Sequence, residues 1–314
     1  MCNKQIICLD FVGNELEATQ WREIDHLFEK RILCSPGELS SLPEKSEIEA
    51  LLVKLGAKVD QRLISQFPNL RYIGMLGTGY GGIDTKYAVR RGITVTNIAD
   101  YATEAVAEFT FGLLLENSRD ISRARTQAQS GNYSDDFSGT ELKGSQFGVV
   151  GLGNIGQRTA CLASAFGCEV SYWSKHRKKK PGANNIQYQS LEKVLKTSDI
   201  ISLNLALNPE TQGIITAALI KQIKPGAVII NLSPMELFDF TALVKRLKKN
   251  DVTLILDHSD EMTDDQLKSL RKLQNCHIYP PIGYLTRDAS QLKKRIYVTN
   301  LKNYLQGTPT NVVR

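Results

Sequence analysis

A chain of 314 residues is too long for one ordinary core, so two domains are the first expectation, and a net charge of +6 fits anionic small molecules as well as nucleic acid. With 42% hydrophobic and 23% charged residues the balance is that of a soluble globular protein, and no stretch nears the roughly 18–20 unbroken apolar residues of a membrane span. The cysteines (2, 8, 34, 161, 168 and 276) lie mostly in apolar runs without a C-x-x-C pair, which argues for buried thiols in a reducing cytoplasm and against a disulfide frame or a metal site.

The opening MCNKQIICLDF is too short an apolar run for a signal peptide, and KQIICLD (4–10) reads as a first strand. Residues 15–30 have a helical apolar face in Leu16, Ile24, Leu27 and Phe28. ALLV (50–53), YIGML (72–76) and GITV (92–95) are further buried-strand candidates, with a helix around 84–91. One long helix is expected from Tyr101 to about Arg125, followed by the polar connection GNYSDDFSGTELKG. Strands at 147–150, 169–173, 199–205, 227–232, 252–257 and 276–280 then alternate with helices at 155–166, 190–197, 240–249 and 264–273, and a basic helical segment starts at Arg287. Such alternation specifies α/β architecture, with parallel sheets covered on both faces.

Gly151, Gly153 and Gly156 form G-x-G-x-x-G between a strand and a helix, the context that gives this motif meaning. The first glycine permits the tight turn, the second lets a pyrophosphate approach the backbone, and the third lets helix and strand pack closely. Phosphate charge then rests on the helix N-terminus. The strand CEVSYW should end in a carboxylate for the ribose hydroxyl of NAD. It ends in Ser174, followed by Lys175, His176, Arg177, Lys178, Lys179 and Lys180. A hydroxyl and a guanidinium suit a 2′-phosphate, so the position favours NADP(H) over NAD(H). The basic run carries no nucleic-acid motif, and a phosphate ligand accounts for it.

Several ordered motifs resemble the D-isomer-specific 2-hydroxyacid dehydrogenase family over nearly the whole length. GTGYGGID (77–84) is similar to that family's substrate loop, VTNIADYATEAVAEFTFGLLLE (95–116) to its inter-domain helix, and ELKGSQFGVVGLGNIGQ and LALNPETQGII (205–215) to its cofactor domain. The resemblance implies two doubly wound parallel-sheet domains, a Rossmann cofactor domain (101–286) inserted into a flavodoxin-like substrate domain (1–100 plus 287–314). It further implies a homodimer and a small carboxylate or carbonyl substrate. Substrate contacts would come from Gly77, Thr78, Gly79 and Tyr101, and cofactor contacts from the glycine loop with Asn154 and Ile155, from Leu205 and Ala206, from the backbone at Ser233, and from Asp257, at the nicotinamide carboxamide.

The catalytic positions depart from the pattern. Where the family has an arginine in N-x-x-R-G this chain has Pro234, in Asn231-Leu232-Ser233-Pro234-Met235. Where it has a histidine after T-P, this chain has Pro281, in Tyr279-Pro280-Pro281. The glutamate that orients the histidine falls at Met262. A one-residue slip would bring in Glu261, with no histidine to orient.

Proline supplies neither proton nor charge. Only four histidines exist. His258 follows Asp257 and is expected to point to the opposite face, His277 lies too far along its strand, and His176 suits the adenosine end. Tyr101 is the remaining stand-in, with weaker claims for Tyr279 and Tyr284, while Glu236 and Asp239 suit a turn and helix start. The expectation is an NADP(H)-dependent oxidoreductase with altered chemistry, or alternatively a non-catalytic NADP(H)-binding sensor or scaffold.

Overall fold

The computed structural model describes residues 4–178 and 186–313; Cys2, Lys179 and Lys180 lie outside them. The chain divides into two compact units, Met1–Tyr101 with Thr286–Arg314, and Ala102–Leu285.

The first unit runs β1 (Gln5–Leu9), α1 (Ala18–Leu27), β2 (Lys30–Cys34), β3 (Ile48–Lys54), α2 (Gln61–Ile64), β4 (Tyr72–Leu76), α3 (Thr85–Arg90) and β5 (Thr94–Thr96). The second follows with α4 (Thr103–Arg119), α5 (Ile121–Gln129), β6 (Gln146–Val150), α6 (Asn154–Ala165), β7 (Glu169–Trp173), β8 (Gln187–Tyr188), α7 (Leu191–Thr197) and β9 (Ile200–Leu203). It continues through α8 (Ala217–Gln222), β10 (Val228–Asn231), α9 (Phe240–Leu247), β11 (Thr253–Leu256), α10 (Asp264–Arg271) and β12 (Cys276–Ile278). The chain then returns to the first unit as α11 (Arg287–Leu305) and β13 (Val312–Val313).

The first sheet has the order β13-β5-β4-β3-β1-β2, parallel except for β13 against β5. Alternation along its strands feeds a core on each face. Ile7, Leu9, Leu51 and Val53 face one way, and Ile6, Cys8, Ala50 and Leu52 face the other, where Tyr297, Val298 and Leu301 of α11 cover them. The second sheet is parallel throughout, in the order β12-β11-β10-β9-β6-β7-β8. Its order reverses between β6 and β9, which puts the loops after those two strands at the topological switch point, where doubly wound sheets bind ligands.

Three local expectations need correction. The single helix from Tyr101 to about Arg125 is two helices, because Asp120 takes a left-handed backbone (φ 51°) that ends α4 and restarts the chain as α5. The helix expected over 15–30 spans only Ala18–Leu27, and the residues after it pair with β1 as β2. The C-terminal residues add a short antiparallel edge, β13, that no apolar run announces.

Candidate active site

In the second unit, the glycine loop is shaped by what a side chain would strike. Gly151 has φ +97°, and a Cβ there would fall 2.5 Å from the Asn204 carbonyl oxygen and 2.8 Å from Leu205 Cδ2. At Gly156 a Cβ would lie 2.0 Å from the Gly151 carbonyl oxygen. Gly153 differs: nothing lies within 4 Å of its would-be Cβ. Two glycines are thus required by the protein's own packing and one opens on free space, the division of labour that a pyrophosphate cradle needs. Gly153 is also the N-cap of α6 and offers no side-chain cap, so the amides at Asn154 and Ile155 in its first turn are left for a ligand. Ala206 is exposed beyond β9, with Leu205 half-buried before it.

At the end of β7 the expected phosphate ligands are partly committed elsewhere. Ser174 is buried and its hydroxyl donates to the His176 carbonyl at 2.7 Å. Lys175 is exposed and ion-paired with Glu210, whose carboxyl it holds below the ordinary range. Arg177 is exposed and has no carboxylate partner among the described residues; its guanidinium lies 5.9 Å from the centre of the Tyr188 ring. His176 is exposed nearby.

Asp257 follows β11 and is buried, 4% exposed. Its Oδ2 accepts the Gly283 amide at 3.1 Å, whereas its Oδ1 is buried with no hydrogen-bond partner. Burial is the main cause that raises its carboxyl above 3.8, only partly countered by the Gly283 amide. Its contribution to stability is therefore complete below 3.8 and is lost as pH rises through the raised value. An orphaned acceptor of this kind costs about 1–3 kcal/mol unless a ligand donor reaches it. The carboxamide of a nicotinamide is such a donor, and the site fits one. Replacing Asp257 with alanine is expected to weaken NADPH by about tenfold or more while leaving 2′-phospho-ADP-ribose, which lacks the carboxamide, unchanged. Calorimetric titration of both ligands checks this, and equal loss for both would contradict it.

Ser233 is buried beside this region, donating its hydroxyl to the Leu203 carbonyl at 3.1 Å and its amide to Asn231 Oδ1 at 3.3 Å. Pro234 follows it and opens a 3-10 turn, Met235–Leu237. Pro281 is half-buried two residues before Gly283, and Met262 packs against the apolar core of this unit. Asp239 caps α9 by accepting the Ala242 amide at 3.0 Å, and Glu236 is exposed.

Glu261, expected to have no histidine to orient, lies near His258 without a hydrogen bond to it. The 3-10 turn Ser259–Glu261 brings Glu261 Oε2 to 3.2 Å from His258 Nδ1, at an angle that makes no hydrogen bond. The sequence conceals this pairing because it depends on a turn that starts three residues after the last residue of β11. His277 is exposed on β12. Tyr279 is half-buried edge-on to Phe109, centroids 6.3 Å apart, and burial raises its phenol, making it a poorer proton source; Tyr284 is exposed.

In the first unit, the loop after β4 is fixed through its carbonyls. Gly77 accepts the Ile98 amide at 2.9 Å, and Thr78 accepts from Asn97 Nδ2 at 2.8 Å. The Thr78 hydroxyl donates to the Ile98 carbonyl at 2.9 Å. The Thr78 and Gly79 amides donate to no group among the described residues, and both residues are exposed. Tyr101 is half-buried, packs against the core under α11, and has Lys293 Nζ 5.5 Å from its ring centre. Sequence reasoning passed over Lys293, because α11 reads as a basic surface helix. The missed signal was phase: residue 293 falls four after the buried Ala289 and four before the buried Tyr297.

No group of His, Cys, Asp and Glu among the described residues could hold a metal ion, and no helix among them is long and apolar enough to cross a membrane. Comparison with known proteins matches residues 111–283 to the D-isomer specific 2-hydroxyacid dehydrogenase, NAD binding domain. The chain is 34% identical over 284 residues to a glyoxylate reductase of Thermococcus litoralis, covering 87% of this chain and 85% of that one. Among solved structures it resembles an acyclic imino acid reductase in complex with NADPH and D-Arg (26% identity, TM-score 0.83, 99% and 100% of the two chains). A D-lactate dehydrogenase from Aquifex aeolicus complexed with NAD and lactic acid is similar too (26% identity, TM-score 0.79, 96% of each chain). Family model and relatives agree: this chain belongs to the D-isomer-specific 2-hydroxyacid dehydrogenase family and carries its NAD-binding domain.

Proposed function

We propose that this protein is an NADP(H)-dependent reductase whose acceptor brings its own proton, a small 2-imino acid formed from a 2-oxo acid and an amine. The observation that carries the reading is the pairing of a complete dinucleotide cradle with Pro234, Met262 and Pro281 at the positions where the family keeps arginine, glutamate and histidine.

Bound NADPH would supply a hydride. Reducing a ketone then demands a proton for the developing alkoxide, and a positioned acid is worth about 10²–10⁴ in rate. An iminium carbon that accepts hydride yields a neutral amine, and no acid is required. The family's glyoxylate-reducing members and the neighbour solved with NADPH and D-Arg bracket these two chemistries. On this reading Thr78 and Gly79 hold the substrate carboxylate through their free amides, Asp257 orients the carboxamide, and Tyr101 shapes the acceptor's side.

The NADP(H) preference rests on Arg177, since Lys175 is already neutralised by Glu210 and the Ser174 proton is committed to His176. Arg177→Ala is expected to reduce the preference for NADPH over NADH by about tenfold. Dissociation constants for the two cofactors check it, and an unchanged ratio would move the selectivity elsewhere.

The function itself is tested by product analysis. Protein, NADPH, a panel of 2-oxo acids from glyoxylate upward and ammonium are incubated, and the amino acids and hydroxy acids formed are separated. Amino acid as the main product supports the reading. Hydroxy acid alone rejects it. NADPH binding without either product favours the second reading, a non-catalytic sensor or scaffold, which the loss of all three catalytic side chains together also motivates.

A further inference from the structure

The basic face of α11 is unevenly compensated. Lys294 is paired with Glu17 and Lys302 with Glu23, both carboxylates at the first unit's own surface. Lys293 is different. It is half-buried, lies in phase with Ala289, Tyr297 and Leu301 on the side of the helix that covers the sheet, and has no carboxylate within ion-pair distance among the described residues. Its ammonium lies over the face of the Tyr101 ring, 5.5 Å from the ring centre, and burial lowers it below 10.5.

A cation over an aromatic face gains about 0.5–2 kcal/mol, which softens the desolvation of an ammonium but leaves its charge uncancelled. Ordinary surface lysines swing outward to water, as their long stems allow. One held inward against a phenol ring, with no counter-ion, is a group waiting for an anion.

The same end of the first unit presents two more positive features. The amides of Thr78 and Gly79 have no acceptor among the described residues, and their loop is locked by the Asn97–Ile98 segment, three residues before Tyr101. The amides lie just beyond the carboxyl end of β4, on a loop bonded to the segment that leads into Tyr101, the residue whose ring Lys293 of α11 meets.

We propose that Lys293 is a substrate-binding residue, the cation that holds the carboxylate of a small 2-oxo or 2-imino acid together with the Thr78 and Gly79 amides. The identity of the acid rests on the reductase reading; the existence of the carboxylate site does not.

The test uses the full chain saturated with NADPH, and oxalate as the carboxylate probe. Wild type, Lys293→Met and Lys293→Arg are titrated with oxalate by calorimetry, with NADPH affinity measured for each as the control. Lys293→Met is expected to weaken oxalate by at least tenfold with NADPH affinity unchanged, and Lys293→Arg to recover most of the loss. Oxalate bound equally by wild type and Lys293→Met, or bound by neither, overturns the proposal. Where the wild type turns over, Lys293→Met is expected to raise KM for the acid far more than it lowers kcat; an unchanged KM rejects Lys293 while leaving the reductase standing. Absent turnover with oxalate bound through Lys293 has the opposite meaning: the site stands and the reductase reading falls.

Discussion

Gly156→Ala is expected to unfold the second unit at a lower temperature, whereas Gly153→Ala is expected to melt with the wild type and still lose the dinucleotide. The contrast follows from where each new methyl lands. At Gly156 it meets the Gly151 carbonyl oxygen at 2.0 Å and Val149 Cγ1 at 3.3 Å. Gly151 cannot retreat, since its own backbone is left-handed and set against Asn204. Overpacking against a backbone that cannot move costs about 1–3 kcal/mol or more, which in a unit of this size corresponds to a drop of several degrees in Tm. At Gly153 the φ of −74° and ψ of −165° suit alanine, and nothing lies within 4 Å. The methyl then occupies space that only a ligand would use. Affinity for NADPH is expected to fall by about tenfold or more, measured by calorimetry beside thermal melts of both variants. Wild-type affinity in Gly153→Ala would mean that the loop does not seat the pyrophosphate.

The second large effect concerns the acceptor. With a 2-oxo acid alone, the protein must stabilise and protonate a nascent alkoxide without the two side chains the family uses for it. A missing acid removes about 10²–10⁴ in rate, and a missing oxyanion donor about 10²–10³ more. An amine that condenses with the 2-oxo acid bypasses both. The rate of NADPH oxidation is therefore expected to rise by about 10²-fold or more when a primary amine is added to a 2-oxo acid at constant pH. Around the two prolines the local frame is held by hydrogen bonds, from the Ser233 hydroxyl before Pro234 to the Leu203 carbonyl at the end of β9 and from the Gly283 amide after Pro281 to Asp257.

Much of this was legible in residue order. Continuous apolar runs such as YIGML and the strand around Gly148 gave buried parallel strands, since a strand covered on both faces has no polar side to show. The glycine spacing gave the cradle, and Asp257 its place after β11. β2 was hidden because Lys30 and Arg31 interrupt its apolar pattern and it follows α1 almost without a loop. The break at Asp120 depends on one residue's backbone angle, which composition does not reveal. At the site, the departures from the family pattern were visible as Pro234, Met262 and Pro281, but the groups that redistribute charge were not. Glu210 neutralises Lys175 across 35 residues, His258 finds Glu261 only through a 3-10 turn, and Lys293 is distinguished from its basic neighbours only by which way the helix turns it.

The claim at the centre is that the acceptor carries the proton. The direct measurement is the ratio of initial rates of NADPH oxidation with a 2-oxo acid in the presence and absence of methylamine, with protein, pH and ionic strength held fixed. The account predicts a ratio of about a hundred or more, with the N-methyl amino acid as product. A ratio near one, with hydroxy acid formed at a rate normal for an enzyme, would contradict it and show that another side chain in this protein supplies the proton.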